Sequence, residues 1–209
     1  MASSLRFVVL DIETLHGVNF GAIRARGGGF KPWTHDCWTT VYPAQVCAVS
    51  FEDGEEIDRL STTIDWGELA PPLDNPYCKH LTQDSIDRGV GPATFFDMLS
   101  TMCRDTESFV GYNVGFDMGC LRHHASKHGR PLPEVPDVCL MDPAKERLGM
   151  ARWPKLVDAY RGLCGQEPSD MAHDAEYDVH MTCEIMKVLV LPVQPVQPVQ
   201  PQRLSSSTP

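Results

Sequence analysis

The chain has 209 residues, 42% hydrophobic and 22% charged, a size and balance that suit one globular domain and exclude a disordered or fibrous chain. No apolar run reaches the ~18 residues of a membrane span, and residues 1–4 carry no secretory signal, so an intracellular protein, cytoplasmic or nuclear, with no membrane partner is expected. The eight cysteines form no Cys-x-x-Cys pair and are expected to be reduced thiols. A net charge of −10 excludes a broad basic surface for gripping a long nucleic-acid backbone, though not a site that grips a strand end through metal ions.

Residues 5–10, LRFVVL, read as a short buried strand. Residues 17–42 contain Gly27-Gly28-Gly29, Trp33 and Trp38, and are too long and irregular for a hairpin turn; a surface loop or flap is expected. Residues 45–51 and 56–62 read as two strands joined by an Asp53-Gly54 turn, and 65–75 as a Pro-rich loop. The helical spacing of Phe95, Met98, Leu99 and Met102 predicts a helix over 94–103. A strand at 108–112 follows, then a helix over 114–128 with Asn113 as candidate N-cap and Gly129 as its stop. Two more helices are predicted, over 155–163 (entered through Pro154) and 174–191. Strands and helices alternate, which implies an α/β layered domain over 1–191. Residues 192–209 begin PVQPVQPVQPQ and are expected to be a disordered tail. In polyproline II geometry Pro192, Pro195, Pro198 and Pro201 would line one face, either as a plain spacer or as a docking peptide for a partner that reads PxxP.

Asp11 and Glu13 follow the first strand, and alternation puts both on one face while Ile12 turns to the core. Paired carboxylates at a buried strand end repel each other and lose hydration unless a positive charge lies between them, although a solvated acidic end is the plainer alternative. Asp117 falls in the first turn of a helix after a strand, where the helix dipole alone would favour it. In HDAEYD, Asp178 lies in the last helix and His173 at its start or in the preceding loop. Five helical steps would leave the two about 140° apart, so they converge only if His173 hangs from a loop. The adjacent His123 and His124 diverge by about 100° on a helix and read as surface residues, not a metal site.

The segments DIET (11–14), GYNVGFD (111–117) and HDAEYD (173–178) resemble the three exonuclease motifs of the DEDDh superfamily. That group includes the proofreading subunit of bacterial replicative polymerases, ribonuclease T and oligoribonuclease. The resemblance covers roughly residues 5–190, and Asp174 stands where the sister tyrosine subgroup would need Tyr. It implies a ribonuclease H-like fold, a central mixed sheet flanked by helices. It also implies a 3′→5′ exonuclease that releases nucleoside 5′-monophosphates with two divalent cations, Mg²⁺ or Mn²⁺. Asp11 would bridge both ions, Glu13 and Asp178 would hold the ion beside the nucleophile, Asp117 the other, and His173 would be the general base. Thr14 and Leu15 would contact or wedge the terminal nucleotide, and Asn113 and Phe116 would border the same pocket, with core packing the alternative for Leu15 and Phe116. Trp33 and Trp38 would either stack on bases or simply pack. Residues 78–82, CKHLT, lie where many relatives carry a His-Gly-Ile-Thr-like segment; Lys79 and His80 depart from it, so no substrate contact is assigned there. The expected partners are nucleic-acid 3′ ends, with single-stranded DNA slightly ahead of RNA. A catalytically silent adaptor or a structure-specific endonuclease is the competing possibility; the intact set of five motif residues weighs against the first, and the His-x-Ala-x-x-Asp form of the third motif against the second.

Overall fold

The computed structural model describes residues 4–16 and 35–190. Trp33 and the PVQ tail lie outside the described residues. Strand β1 (Arg6–Thr14) runs up the middle of a five-stranded sheet of order β3-β2-β1-β4-β5. β2 (Pro43–Glu52) pairs antiparallel with β1 and with β3 (Glu55–Thr63). β4 (Ser108–Gly111) pairs parallel with β1 and with β5 (Asp137–Cys139). This is the mixed sheet of a ribonuclease H-like fold, as the motifs imply.

The β2–β3 hairpin turns at Asp53 and Gly54, both at positive φ (52° and 88°), as a two-residue turn between right-twisted strands demands. Among the described residues six α-helices flank the sheet: α1 (Gln83–Asp87), α2 (Pro92–Met102), α3 (Val114–Lys127), α4 (Met141–Arg147), α5 (Leu156–Cys164) and α6 (Ala175–Val190). Val8, Leu10 and Ile12 turn to one face of the sheet and pack with Phe95, Phe96 and Leu99 of α2 and Val114, Met118 and Leu121 of α3. Val9, Cys47 and Val49 turn to the other, against Ala159 and Tyr160 of α5 and Val179, Met181 and Ile185 of α6. Among the described residues no helix is long and apolar enough to cross a membrane.

Several sequence expectations change. β1 does not stop at Leu10 but continues through Thr14, because Asp11 and Glu13 find ladder partners in Cys47 and Gln45. Asn113 precedes α3 but makes no side-chain cap bond: its backbone is left-handed, φ 70°, as the tight β4–α3 turn requires. His123 and His124 are buried rather than surface residues. A 3-10 helix at His35–Thr40 and the side chain of Trp66 cover that flank of α3, so divergent directions on the helix both meet protein. His124 Nε2 lies 2.7 Å from the Val41 carbonyl, and burial pushes its pKa down to about 4, so the ring is neutral and donates there. Trp38 packs edge-on against Phe116, with ring centroids 5.4 Å apart, and is 4% exposed, which settles it as a core residue.

Candidate active site

The sheet gathers the motif residues at the C-terminal end of β1. Asp11 and Glu13 share the face that carries Val9, so the strand that anchors them is buried just behind them. β4 lies parallel to β1, and its exit feeds α3, whose first turn brings Asp117 in from the side. α6 packs across β1 and β2 and presents Asp178 from its own first turn. Glu13, Asp117 and Asp178 are buried and Asp11 is half-buried.

Burial is the main reason each carboxyl is pushed above its usual range, and the acidic neighbours add to it. Asp11 is raised well above its ordinary value by loss of water, then by Asp117, Asp178, Glu13 and Asp174 in that order. Glu13 and Asp117 rise to about 8 and Asp178 to about 7. Hydrogen bonds pull the other way: Cys78 Sγ donates to Glu13 Oε2 at 2.9 Å, the Asp117 and Ile12 backbone N–H groups favour ionised Asp117, and the His173 N–H donates to Asp178 Oδ1 at 3.4 Å.

His173 stands outside α6, as its required approach to the carboxylates implies, with φ 69° and a half-exposed ring. Its Nδ1 is 3.9 Å from Glu13 Oε1. Ligand atoms of Glu13, His173 and Asp178 all lie within 4.8 Å of one another. Burial, and secondarily Lys155, hold the His173 pKa below its ordinary value, so at neutral pH the imidazole is free to take a proton. The exposed ring of Tyr77 lies 5.7 Å from that of His173 at the mouth of the site.

The expected nucleotide contacts fall in different settings. Thr14 is buried and donates from Oγ1 to the His16 carbonyl at 2.8 Å. Leu15 sits in the core, its backbone N–H bonded to Tyr42 O and its carbonyl accepting from Asp74 N–H. Phe116 is a core side chain, and Asn113 is the exposed member of the four. Four neighbours escaped the sequence reading: Cys78 on Glu13; Asn75, whose Nδ2 donates to the Thr14 carbonyl at 2.9 Å; Gln45; and Asp174. Gln45 was the most accessible of these, since the hairpin register sets it directly across from Glu13; Cys78 and Asn75 arrive from a distant loop, where the CKHLT segment gave no sign of a contact with Glu13.

The RNase T family model, described as exonuclease, matches residues 8–186. The chain belongs to this exonuclease family. All three motifs of the DEDDh superfamily lie inside the matched span. No curated protein matches the chain by sequence. Among solved structures, it is similar to E. coli exonuclease I in complex with a dA16 oligonucleotide (19% identity, TM-score 0.66, covering 88% of this chain and 40% of that one). The zinc-bound E. coli ExoI–ssDNA complex (18%, 0.62, 88% and 40%) and an ExoI/SSB-Ct complex (17%, 0.59, 90% and 43%) are also similar. These likenesses establish the same fold, and this chain spans about two fifths of the length of those chains.

Proposed function

We propose that this chain is a metal-dependent 3′→5′ exonuclease that hydrolyses the terminal phosphodiester of single-stranded nucleic acid, DNA ahead of RNA, and releases nucleoside 5′-monophosphates. The observation that carries this is the convergence of four carboxylates from β1, α3 and α6, three of them buried, with a half-exposed histidine at their rim. The charges that bear on Asp11 are acidic, and the donor set is oxygen throughout. Such a cluster fits hard divalent cations, Mg²⁺ or Mn²⁺, held by Asp11, Glu13, Asp117 and Asp178. When bound, a cation pair supplies a water activated for attack and charge stabilisation for the phosphoryl oxygens.

The protein's own groups do the rest. Asp11 and Glu13 are fixed by ladder pairing with β2, and Asp178 by the rigid helix that carries it. His173 takes the proton from the attacking water, a task suited to an imidazole that is neutral at pH 7. Its place on a loop outside the helix lets the ring follow the water without moving Asp178. The solved complexes of exonuclease I with a dA16 oligonucleotide and with ssDNA support single-stranded DNA as the substrate class.

The test is a gel assay on 5′-labelled single-stranded DNA and RNA of matched sequence, with Mg²⁺, Mn²⁺ or a chelator. A metal-dependent ladder that shortens from the 3′ end, faster on DNA, is the expected result. Oligomeric products would point to an endonuclease, and no products from folded protein with metal would remove the enzymatic function. Asp11→Ala and Asp178→Ala should each abolish turnover, while His173→Ala should slow it by ~10²–10⁴-fold, the usual weight of a general base.

A further inference from the structure

Gln45 lies on β2, directly across the ladder from Glu13, and its side chain reaches the start of α6. Both ends of its amide are used. Nε2 donates to Asp174 Oδ2 at 3.0 Å, and Oε1 accepts from the Ala175 N–H at 3.1 Å. Asp174 is itself the cap of the helix: Oδ1 accepts from the N–H groups of Glu176 and Tyr177, each at 3.1 Å, and its carbonyl accepts from the Asp178 N–H at 2.8 Å. The two residues that follow His173 are therefore tied to the sheet by one side chain.

That tie matters because of His173. Its φ of 69° is a conformation that non-glycine residues adopt rarely and keep only when their surroundings over-determine it. On the N-terminal side the loop is held locally: the Met171 carbonyl accepts from the Asp174 N–H at 3.0 Å, His80 Nε2 lies 3.1 Å from the Asp170 carbonyl, and the His173 N–H reaches Asp178 Oδ1 at 3.4 Å. The contacts that tie this turn to the sheet come from its C-terminal side, through Asp174 and Ala175. The side chain that makes them must donate to a carboxylate and accept from an N–H at once, at the reach of two methylenes. Glutamine does this. Glutamate would lose the donor and set a like charge against Asp174, and methionine would fill the space with neither function.

We propose that Gln45 is a positioning residue, which sets the left-handed turn at His173, and with it the reach of the imidazole to the carboxylate cluster, by fixing Asp174 and Ala175 against β2. The kinetic consequence rests on the exonuclease function proposed above; the structural consequence does not.

The test uses the full chain with Gln45→Met and Gln45→Glu, each alone and combined with His173→Ala. Amide hydrogen exchange over residues 172–178 should quicken by about 10-fold or more in both Gln45 variants, with the β1–β2 amides unchanged. On a single-stranded oligonucleotide with Mg²⁺ or Mn²⁺, kcat should fall by about 10–100-fold where His173 is present, by less than about 3-fold where it is already alanine, and KM should hold, because residues acting through one another are not additive. An equal loss in both backgrounds, or unchanged exchange over 172–178, overturns the assignment. If the wild-type chain shows no turnover at all, the exonuclease function fails, and the exchange measurement still decides whether Gln45 holds the turn. Should Gln45→Met not fold, the isosteric Gln45→Glu carries both measurements.

Discussion

Glu13 is approached at one carboxylate oxygen by the Cys78 thiol, 2.9 Å away, and at the other by His173 Nδ1, 3.9 Å away. The thiol is buried, and its own pKa is pushed upward by burial and by Glu13, so it stays protonated and donates. A donor to a carboxylate favours the ionised form, the form that holds a cation. Removing it raises the Glu13 pKa further, and the acidic limb of the activity profile moves with it to higher pH. Cys78→Ala is therefore expected to lose more of its activity at pH 6.5 than at pH 8.5 relative to the wild type. Cys78→Ser, with a stronger donor of similar size, should restore the limb. Superimposable pH–rate profiles for all three proteins would show that the thiol plays no part in holding Glu13 ionised.

At the scale of the element, α3 shows how packing sets tolerance. Gly119 faces the buried indole of Trp38, and a Cβ built there would run into the ring. Elsewhere in a helix, replacing Gly by Ala gains ~1 kcal/mol of propensity, but overpacking a filled core costs ~1–3 kcal/mol. The second effect wins here because the ring is buried and already packs edge-on against Phe116 of the same helix. Gly119→Ala should lower Tm by several degrees, and Gly115→Ala, where a Cβ meets nothing within 4 Å, should not. The same helix shows what a sequence can and cannot display. Its span and its first-turn Asp117 were legible because the strand before it and the Gly129 stop after it are local signals. The burial of His123 and His124 was not, since the chain that covers them comes from the 3-10 helix at His35–Thr40 and from Trp66, far away in sequence. β5 and α4 escaped for a related reason: a three-residue strand behind Pro136 and a seven-residue helix are too short to show a period. In the site, the motif residues were legible because their chemistry is written in local spacing. Gln45, Asn75 and Cys78 act through contacts 61 to 130 residues apart, which no window displays.

The whole molecule carries a net charge of −10, and four of its acids converge on one site. Each of these has a pKa in the folded chain above the value it returns to on unfolding, so the folded state holds their protons more tightly. Where the folded state binds more protons than the unfolded one, stability falls as pH rises. The window opens above the ordinary carboxylate values of 3.8 to 4.5 and runs through about 8, as Glu13 and Asp117 lose their protons. In chelator, Tm should therefore decline between pH 6 and pH 8.5. At the proposed site a divalent cation would bind the ionised carboxylates, and only the folded chain brings them together, so it would stabilise by mass action, most where ionisation is otherwise most costly. Saturating Mg²⁺ or Mn²⁺ should raise Tm by several degrees more at pH 8.5 than at pH 6 and flatten the decline. Asp178→Asn should flatten it as well, without metal, because one buried charge never forms. Parallel melting curves with metal and with chelator across this range would mean that the acidic cluster is not the cation site, and the proposed hydrolysis would lose its physical basis.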